Sequence, residues 1–490
     1  MISHEPLPAG AAVTERLVDI ATGWAPPAPA DAARAAGIAF ADTVGCALAG
    51  TPDPAVTAYS RATGHAPFDT SSPPADAARA TGLAAHALDY DDVDDATISH
   101  PSAVMVPALL AVGAARGASG AEVVTAFHRG LAVGRTLGAE LGVRPHYEAG
   151  WHTTSTLGTV AATAAVGSLL GADAPQMRAA LGIAGSLAQG SRQNFGSMTK
   201  PLHAGQAAHS AVLAATLAEQ GFTADDDLLD GPLGFLALHR GPAASQPSTG
   251  AGGPPDAGDA GLAVPFLNVK LYPCCYYTHA AADAAREVRE DLLTAGVDPA
   301  ALSSGALASV HVTVQPGGLA PLIHPRPVDG TQAKFSMEFV LAAMLTDGEV
   351  TLSAFTAEAV ARPDLRHLLT RVTATEAEVP PLGSPTWNAG YAVVVATTDD
   401  GRTVNRRVDR PRGHATHPVD EATLRTKFDD CLAEAGIPSA GESDALFHAL
   451  VSIADQGSIT DVATLIADVL ATRTPATATP NTGTPEGATR

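Results

Sequence analysis

Lysine is almost missing from this chain. Of its 29 basic residues only Lys200, Lys270, Lys334 and Lys427 are lysines, the rest being arginine. A lysine kept in so Arg-biased a sequence can serve where arginine cannot, because a buried ammonium gives up its proton and works as an acid or base. Aromatic residues are also scarce, at 4%, which leaves little for a cavity that must shelter a bare carbocation. Four cysteines, Cys46, Cys274, Cys275 and Cys431, are too few for a disulfide framework, and adjacent cysteines do not readily bridge to each other, so a reducing compartment is expected. Basic surplus is absent as well: 51 acidic residues give a formal charge of −22, with no local Lys/Arg cluster, which argues against nucleic-acid and anionic-membrane partners. The N-terminus has no basic and apolar leader pattern, and the longest apolar runs, 104–115 and 157–172, are short and Gly-interrupted. These read as buried helices, and the protein as cytoplasmic.

What is present is Ala, Val, Leu and Gly, within a 46% hydrophobic content. Small side chains in runs suit close helix packing, and 490 residues exceed what one core holds, so a mainly α protein of two domains is expected. From residue 11 to about 219 the pattern is almost continuously helical. Ser119 and Glu122 have capping-box spacing ahead of Val123, Phe127 and Leu131 on one face, and Asp173 with Pro175 marks another helix start. Residues 241–261 are Gly/Pro/Ala/Ser-rich and read as a mobile loop. Beyond it Val310, Val312 and Val314 alternate with polar residues, and 391–398 leads through Asp399-Asp400-Gly401 into 404–408, a hairpin signal. The organisation expected is a large all-helical domain, 1–264 and 411–472, interrupted by a smaller inserted α+β lid domain, 265–410. A disordered tail is expected at 473–490.

Four clusters could carry chemistry. Asp89, Asp91, Asp92, Asp94 and Asp95 precede His100-Pro101-Ser102. The stretch 91–95 satisfies the DDxxD pattern of a Mg²⁺-diphosphate site, but the aromatic poverty and the lack of a second metal motif oppose that reading; a solvated acidic loop is the plain alternative. His152, in Gly150-Trp151-His152, stands ahead of a small-residue helix, where the dipole favours a neutral, proton-accepting imidazole. Lys200 precedes Pro201, with His203 three residues on, and could face one pocket with it, as carboxylate binder or proton carrier; a Schiff-base lysine is the other reading. Lys270, Cys274, Cys275 and His279 hint at zinc, yet adjacent cysteines lack the gap that lets two thiolates converge on one ion.

Taken in order, Asp42-Thr43-Val44-Gly45-Cys46, Leu88-Asp89-Tyr90-Asp91-Asp92 with His100-Pro101-Ser102, Gly150-Trp151-His152, Lys200-Pro201-Leu202-His203-Ala204-Gly205, Tyr272-Pro273-Cys274-Cys275, Ala333-Lys334-Phe335-Ser336 and Gly413-His414 with Lys427-Phe428 resemble the MmgE/PrpD family. That family includes 2-methylcitrate dehydratases, cis-aconitate decarboxylases and an iminodisuccinate epimerase. The resemblance implies a helical domain with a lid, a homodimer, no metal or organic cofactor, and a small polycarboxylate substrate. It further implies Asp89, His100, His152 and Lys200 as catalytic residues, with Lys270 on the lid side. His203 and His279 are candidate carboxylate clamps beside Lys270. Two departures stand out: the Asp89-to-His100 spacing is one residue longer than in the decarboxylases, and Cys275 stands where they carry a histidine.

All these reactions move a proton at carbon next to a carboxylate, whose carbanion must be stabilised as it forms. On the sequence, His152 or Lys200 exchanges that proton, His100 is an acid and Asp89 orients a histidine. A lyase of the 2-methylcitrate dehydratase kind leads; an epimerase or isomerase, a decarboxylase and a catalytically silent binding protein are the alternatives.

Overall fold

The computed structural model describes residues 12–26, 28–240, 266–387 and 390–474. The expected loop at 241–261 and the tail beyond 474 lie outside the described residues.

The chain is mainly α, with a smaller α+β part. Helices run from Val13–Gly23 to Thr199–Glu219 almost without pause, then return at Glu421–Ala435, Glu442–Val451 and Ile459–Ala471. Both halves of the Ser119/Glu122 capping box are made, and Asp173 pairs reciprocally with Gln176 at the start of Ala174–Leu187. Helix Pro29–Gly50 is long and apolar enough to cross a membrane, yet most of it is buried inside the protein. Its core partners include Leu424, Phe428 and Leu432 from the returning helices, so both sequence segments share one hydrophobic core.

Small residues explain how a chain poor in aromatics packs this tightly. A Cβ on Gly205 would meet the Arg79 carbonyl oxygen at 2.3 Å, and one on Gly50 would meet the Ala84 carbonyl oxygen at 2.0 Å. These contacts press Pro74–Ala87 against Thr199–Glu219 and Pro29–Gly50. The first pairing brings the end of one helix, with His86, beside the start of the other, with Lys200 and His203.

The second core belongs to residues 272–408. Its sheet has the order β2-β1-β3-β4, from β1 (Leu307–Val314), β2 (Val372–Glu376), β3 (Ala392–Thr398) and β4 (Thr403–Val408). The alternating valines of β1 face helices His279–Thr294 and Met337–Asp347, and β3 and β4 form the antiparallel hairpin turned at Gly401. β2 had no sequence signal. It lies at the edge, parallel to β1, and only Val372 of its five residues is buried, so it shows no alternation.

The chain passes between the cores on two adjacent segments. Leu267 and Val269 belong to the helical core and Tyr272 to the other, which puts Lys270 at the crossing. Val269 N–H donates to the Gly413 carbonyl at 2.9 Å. Gly413 has φ +80°, and a Cβ there would lie 2.3 Å from the Val269 carbonyl oxygen, so a side chain is excluded twice over.

Candidate active site

Helix Pro74–Ala87 ends with His86 in its last turn, and the following segment to Pro101 is irregular. Asp89 lies there in the left-handed region, φ +55°, a conformation that costs a non-glycine residue roughly 1–3 kcal/mol unless the surroundings impose it. They do. All four lysines of the chain converge on Leu88, Asp89 and Tyr90. Lys200 Nζ is 2.5 Å from Asp89 Oδ1. Lys270 Nζ donates to the Asp89 carbonyl at 2.7 Å and lies 3.2 Å from Oδ1. Lys334 donates to the Leu88 carbonyl at 2.6 Å, and Lys427 to the Tyr90 carbonyl at 2.7 Å. An ammonium has three rotatable donors, which lets Lys270 serve a carbonyl and a carboxylate together. Burial alone would push the Asp89 carboxyl up, but Lys200 and Lys270 hold it well below the usual carboxylate range. Burial brings the Lys334 ammonium down to about 8.

Four histidines pack against this group. His86 Nδ1 is 2.8 Å from Asp91 Oδ2, so Nδ1 carries the proton and Nε2 presents a lone pair; that Nε2 is buried with no partner among the described residues. His100 Nδ1 meets the Asp92 carbonyl at 2.8 Å, and its ring is 4.6 Å from that of His86. His152, the residue capping helix Thr153–Leu169, stacks 5.9 Å from His86 and shares one proton with His203 across an Nδ1-to-Nδ1 distance of 3.1 Å. Burial holds His86, His100, His152 and His203 below the ordinary imidazole value, with His203 at about 4; Lys270 adds to the effect at His100, and the other histidines add to it at His152. At neutral pH all four are uncharged bases, set beside two ammonium groups.

The remaining aspartates of the cluster disperse. Asp91 binds His86, Asp92 Oδ1 accepts the Ser102 N–H at 3.3 Å, Asp94 binds Arg135, and Asp95 lies 3.3 Å from His414. Asp91, Asp92 and Asp94 are buried. This corrects both readings of the acidic stretch: it is no solvated loop, and its carboxylates do not converge as a DDxxD site would require. Burial and the nearby Asp42 push the Asp92 carboxyl up. Asp89 takes no histidine hydrogen bond; Asp91 is the carboxylate that orients one.

Asp89, His100, His152, Lys200, Lys270 and His203 are therefore brought together, although His203 contacts His152 and a clamp role is not visible in that contact. His279 is set apart: it is buried between Tyr272 and Tyr276, its Nε2 3.3 Å from the Cys274 carbonyl. Among the described residues, His86, Asp89 and His100 offer ligand atoms within 4.8 Å of one another. The two ammonium groups on Asp89 oppose a divalent cation there and favour an anion. All four cysteines are free and buried.

Sequence reasoning missed His86, Lys334 and Lys427 as parts of this site. The scarcity of lysine was the available signal, and the three-residue gap from His86 to Asp89 was another.

The MmgE/PrpD N-terminal domain matches residues 18–247 and the MmgE/PrpD C-terminal domain residues 272–451. Cis-aconitate decarboxylase of Homo sapiens is 32% identical over 369 residues, covering 74% of this chain and 73% of the relative. The Mus musculus enzyme of the same name is 30% identical, covering 73% and 71%. The one from Aspergillus terreus is 26% identical, covering 72% and 74%. With both domains matched in order and the relatives aligned over about three quarters of their length, this chain belongs to the MmgE/PrpD family.

Proposed function

We propose that the protein is a cofactor-free carboxy-lyase acting on a cis-aconitate-type polycarboxylate. The carrying observation is Asp89 held between the Lys200 and Lys270 ammonium groups and faced by uncharged His86, His100 and His152. Relatives named as decarboxylases move the reading away from the dehydratase that led on sequence.

In such a substrate the bond from a methylene carbon to its carboxylate breaks and CO₂ leaves. The electron pair passes into the adjoining C=C and its carboxylate, and one proton adds at the far allylic carbon. Lys200 and Lys270 stabilise the developing negative charge, and Lys200 supplies the proton. The His152 and His203 pair, with its single shared proton, returns one from solvent through half-buried His203. His100 and His86, whose Nδ1 protons go to the Asp92 carbonyl and to Asp91, accept carboxyl protons at their Nε2 atoms.

Incubation with cis-aconitate in D₂O tests this. CO₂ release with one carbon-bound deuterium per product molecule is expected. Water loss from citrate or 2-methylcitrate without CO₂ release would restore the dehydratase reading, and deuterium exchange without net conversion would point to an epimerase.

A further inference from the structure

Arg192 lies in the short 3-10 turn Arg192–Asn194, which is stitched to the loop that carries His152. His152 N–H donates to the Gly190 carbonyl at 3.0 Å, Arg192 N–H donates to the Gly150 carbonyl at 2.9 Å, and Trp151 pairs with Ser191 between them. A side chain on Arg192 is thus placed relative to His152 by backbone hydrogen bonds.

The guanidinium lies 3.6 Å from the centre of the Tyr147 ring and 5.6 Å from that of Phe195. Phe195 in turn stands edge-on to His152 at 5.0 Å, with Lys200 Nζ 5.5 Å from its centre. Nη1 donates to the Tyr147 carbonyl at 2.7 Å, while Nε is buried and has no partner among the described residues. Among the described residues no carboxylate lies within 4.0 Å of this guanidinium. In a chain with a formal charge of −22, a half-buried arginine kept clear of acids and stacked on an aromatic ring is preorganised for an anion from outside.

Its surroundings show which part of the site it faces. The Tyr147 hydroxyl, pushed up by burial, feels Arg192, Cys275, Tyr277 and Asp89; the Tyr277 hydroxyl, also pushed up by burial, feels Cys275, Arg144, Asp95 and Arg192. Phe195, beside the guanidinium, packs 6.3 Å from the Phe335 ring of the α+β part, so Arg192 lies at the seam between the two parts, near the same tyrosines as Cys275. The resemblance to the decarboxylases calls for a histidine at Cys275, but burial pushes this thiol up to about 11, so it stays neutral and brings no positive charge. Arg192 brings one at the same seam.

We propose that Arg192 binds a substrate carboxylate at the mouth of the site, supplying the cationic contact that Cys275 cannot, so that substrates need a second carboxylate beyond the one held by Lys200 and Lys270. This inference rests on the polycarboxylate reading of the same site.

The test is calorimetric titration of the full chain with tricarballylate, a saturated tricarboxylate that offers the carboxylates without the reacting double bond. Arg192→Met is expected to weaken binding roughly ten- to a hundredfold, the range for loss of a charge-assisted contact. Arg192→Lys, which keeps charge but neither stacks nor forks, is expected to weaken it severalfold and serves if the methionine variant does not fold. Adding Cys275→His to Arg192→Met should recover part of the lost affinity. Wild-type affinity in a folded Arg192→Met or Arg192→Lys protein overturns this inference alone, and absence of recovery overturns the link to Cys275. If the wild-type protein binds no polycarboxylate, the functional reading falls with it.

Discussion

Lys200 Nζ and Asp89 Oδ1 are 2.5 Å apart, and the carboxylate they share with Lys270 belongs to a residue in the left-handed region. Neither charge is stable there alone. Removing one partner of a buried ion pair typically costs about 3–5 kcal/mol because the other is left uncompensated.

Asp89→Asn is therefore expected to lower unfolding free energy by about 3 kcal/mol and to reduce kcat by roughly a hundredfold or more. In Asp89→Asn/Lys200→Met much of the stability should return while activity stays lost. Denaturant titration with single-turnover rates checks both; additive stability losses in the double variant would show that the two groups do not interact.

Lys334 binds the Leu88 carbonyl, so it positions Asp89 from the α+β part without touching the carboxylate. Lys334→Met is expected to cut kcat about tenfold with little change in KM. Its ammonium falls from an ordinary 10.5 to about 8 in the folded protein. Between those values the unfolded chain binds the extra proton, so the lysine's contribution to stability improves as pH rises through this window. The difference in unfolding free energy between wild type and Lys334→Met, followed from pH 7.5 to 10.5, should move in that direction.

The site histidines lie below their ordinary value of 6.5, His203 at about 4. The pH profile of kcat/KM should therefore have no imidazole inflection near 6.5. As pH falls from 6.5 toward 4 the unfolded chain takes up protons that these histidines refuse, so stability falls with them. Histidine C2–H titration by NMR provides the check, and site histidines that titrate near 6.5 would refute it.

Asp91 sets the tautomer of His86. Asp91→Asn keeps the shape but can turn the imidazole so that Nε2 no longer presents a lone pair. A loss in kcat of roughly ten- to a hundredfold is expected with stability changed by about 1–2 kcal/mol. Equal activity in the variant would leave His86 a packing residue.

Gly205→Ala would drive a methyl into the Arg79 backbone at 2.3 Å. Since backbone cannot swing aside, the cost should be about 2–3 kcal/mol, and separating the two helices should lower activity as well, read from thermal midpoint and rate together.

While the grouping of Asp89, His100, His152 and Lys200 rested on the resemblance to the family, composition and periodicity were enough for the helical class, the Ser119/Glu122 and Asp173/Pro175 helix starts and the β3–β4 hairpin. These are local or compositional signals: a cap, a period and a turn are each written within a few residues. β2 escaped because an edge strand with one buried residue has no alternation to read. His279 is expected as a carboxylate clamp beside Lys270, but at the start of helix His279–Thr294 its ring is turned between two tyrosines.

The sequence alone determined that positive charge would be scarce, that lysine would be scarcer, and that any anion site must collect the few cations available. Only the tertiary structure decided where they collect. Lys200, Lys270, Lys334 and Lys427 follow one another at separations of 64 to 93 residues and come from both cores, yet each ammonium meets the same three-residue turn. No local pattern encodes that convergence, because it depends on Gly205, Gly50 and Gly413 letting backbones approach closely enough for four long side chains to reach one turn, two of them at its carboxylate and two at its carbonyls.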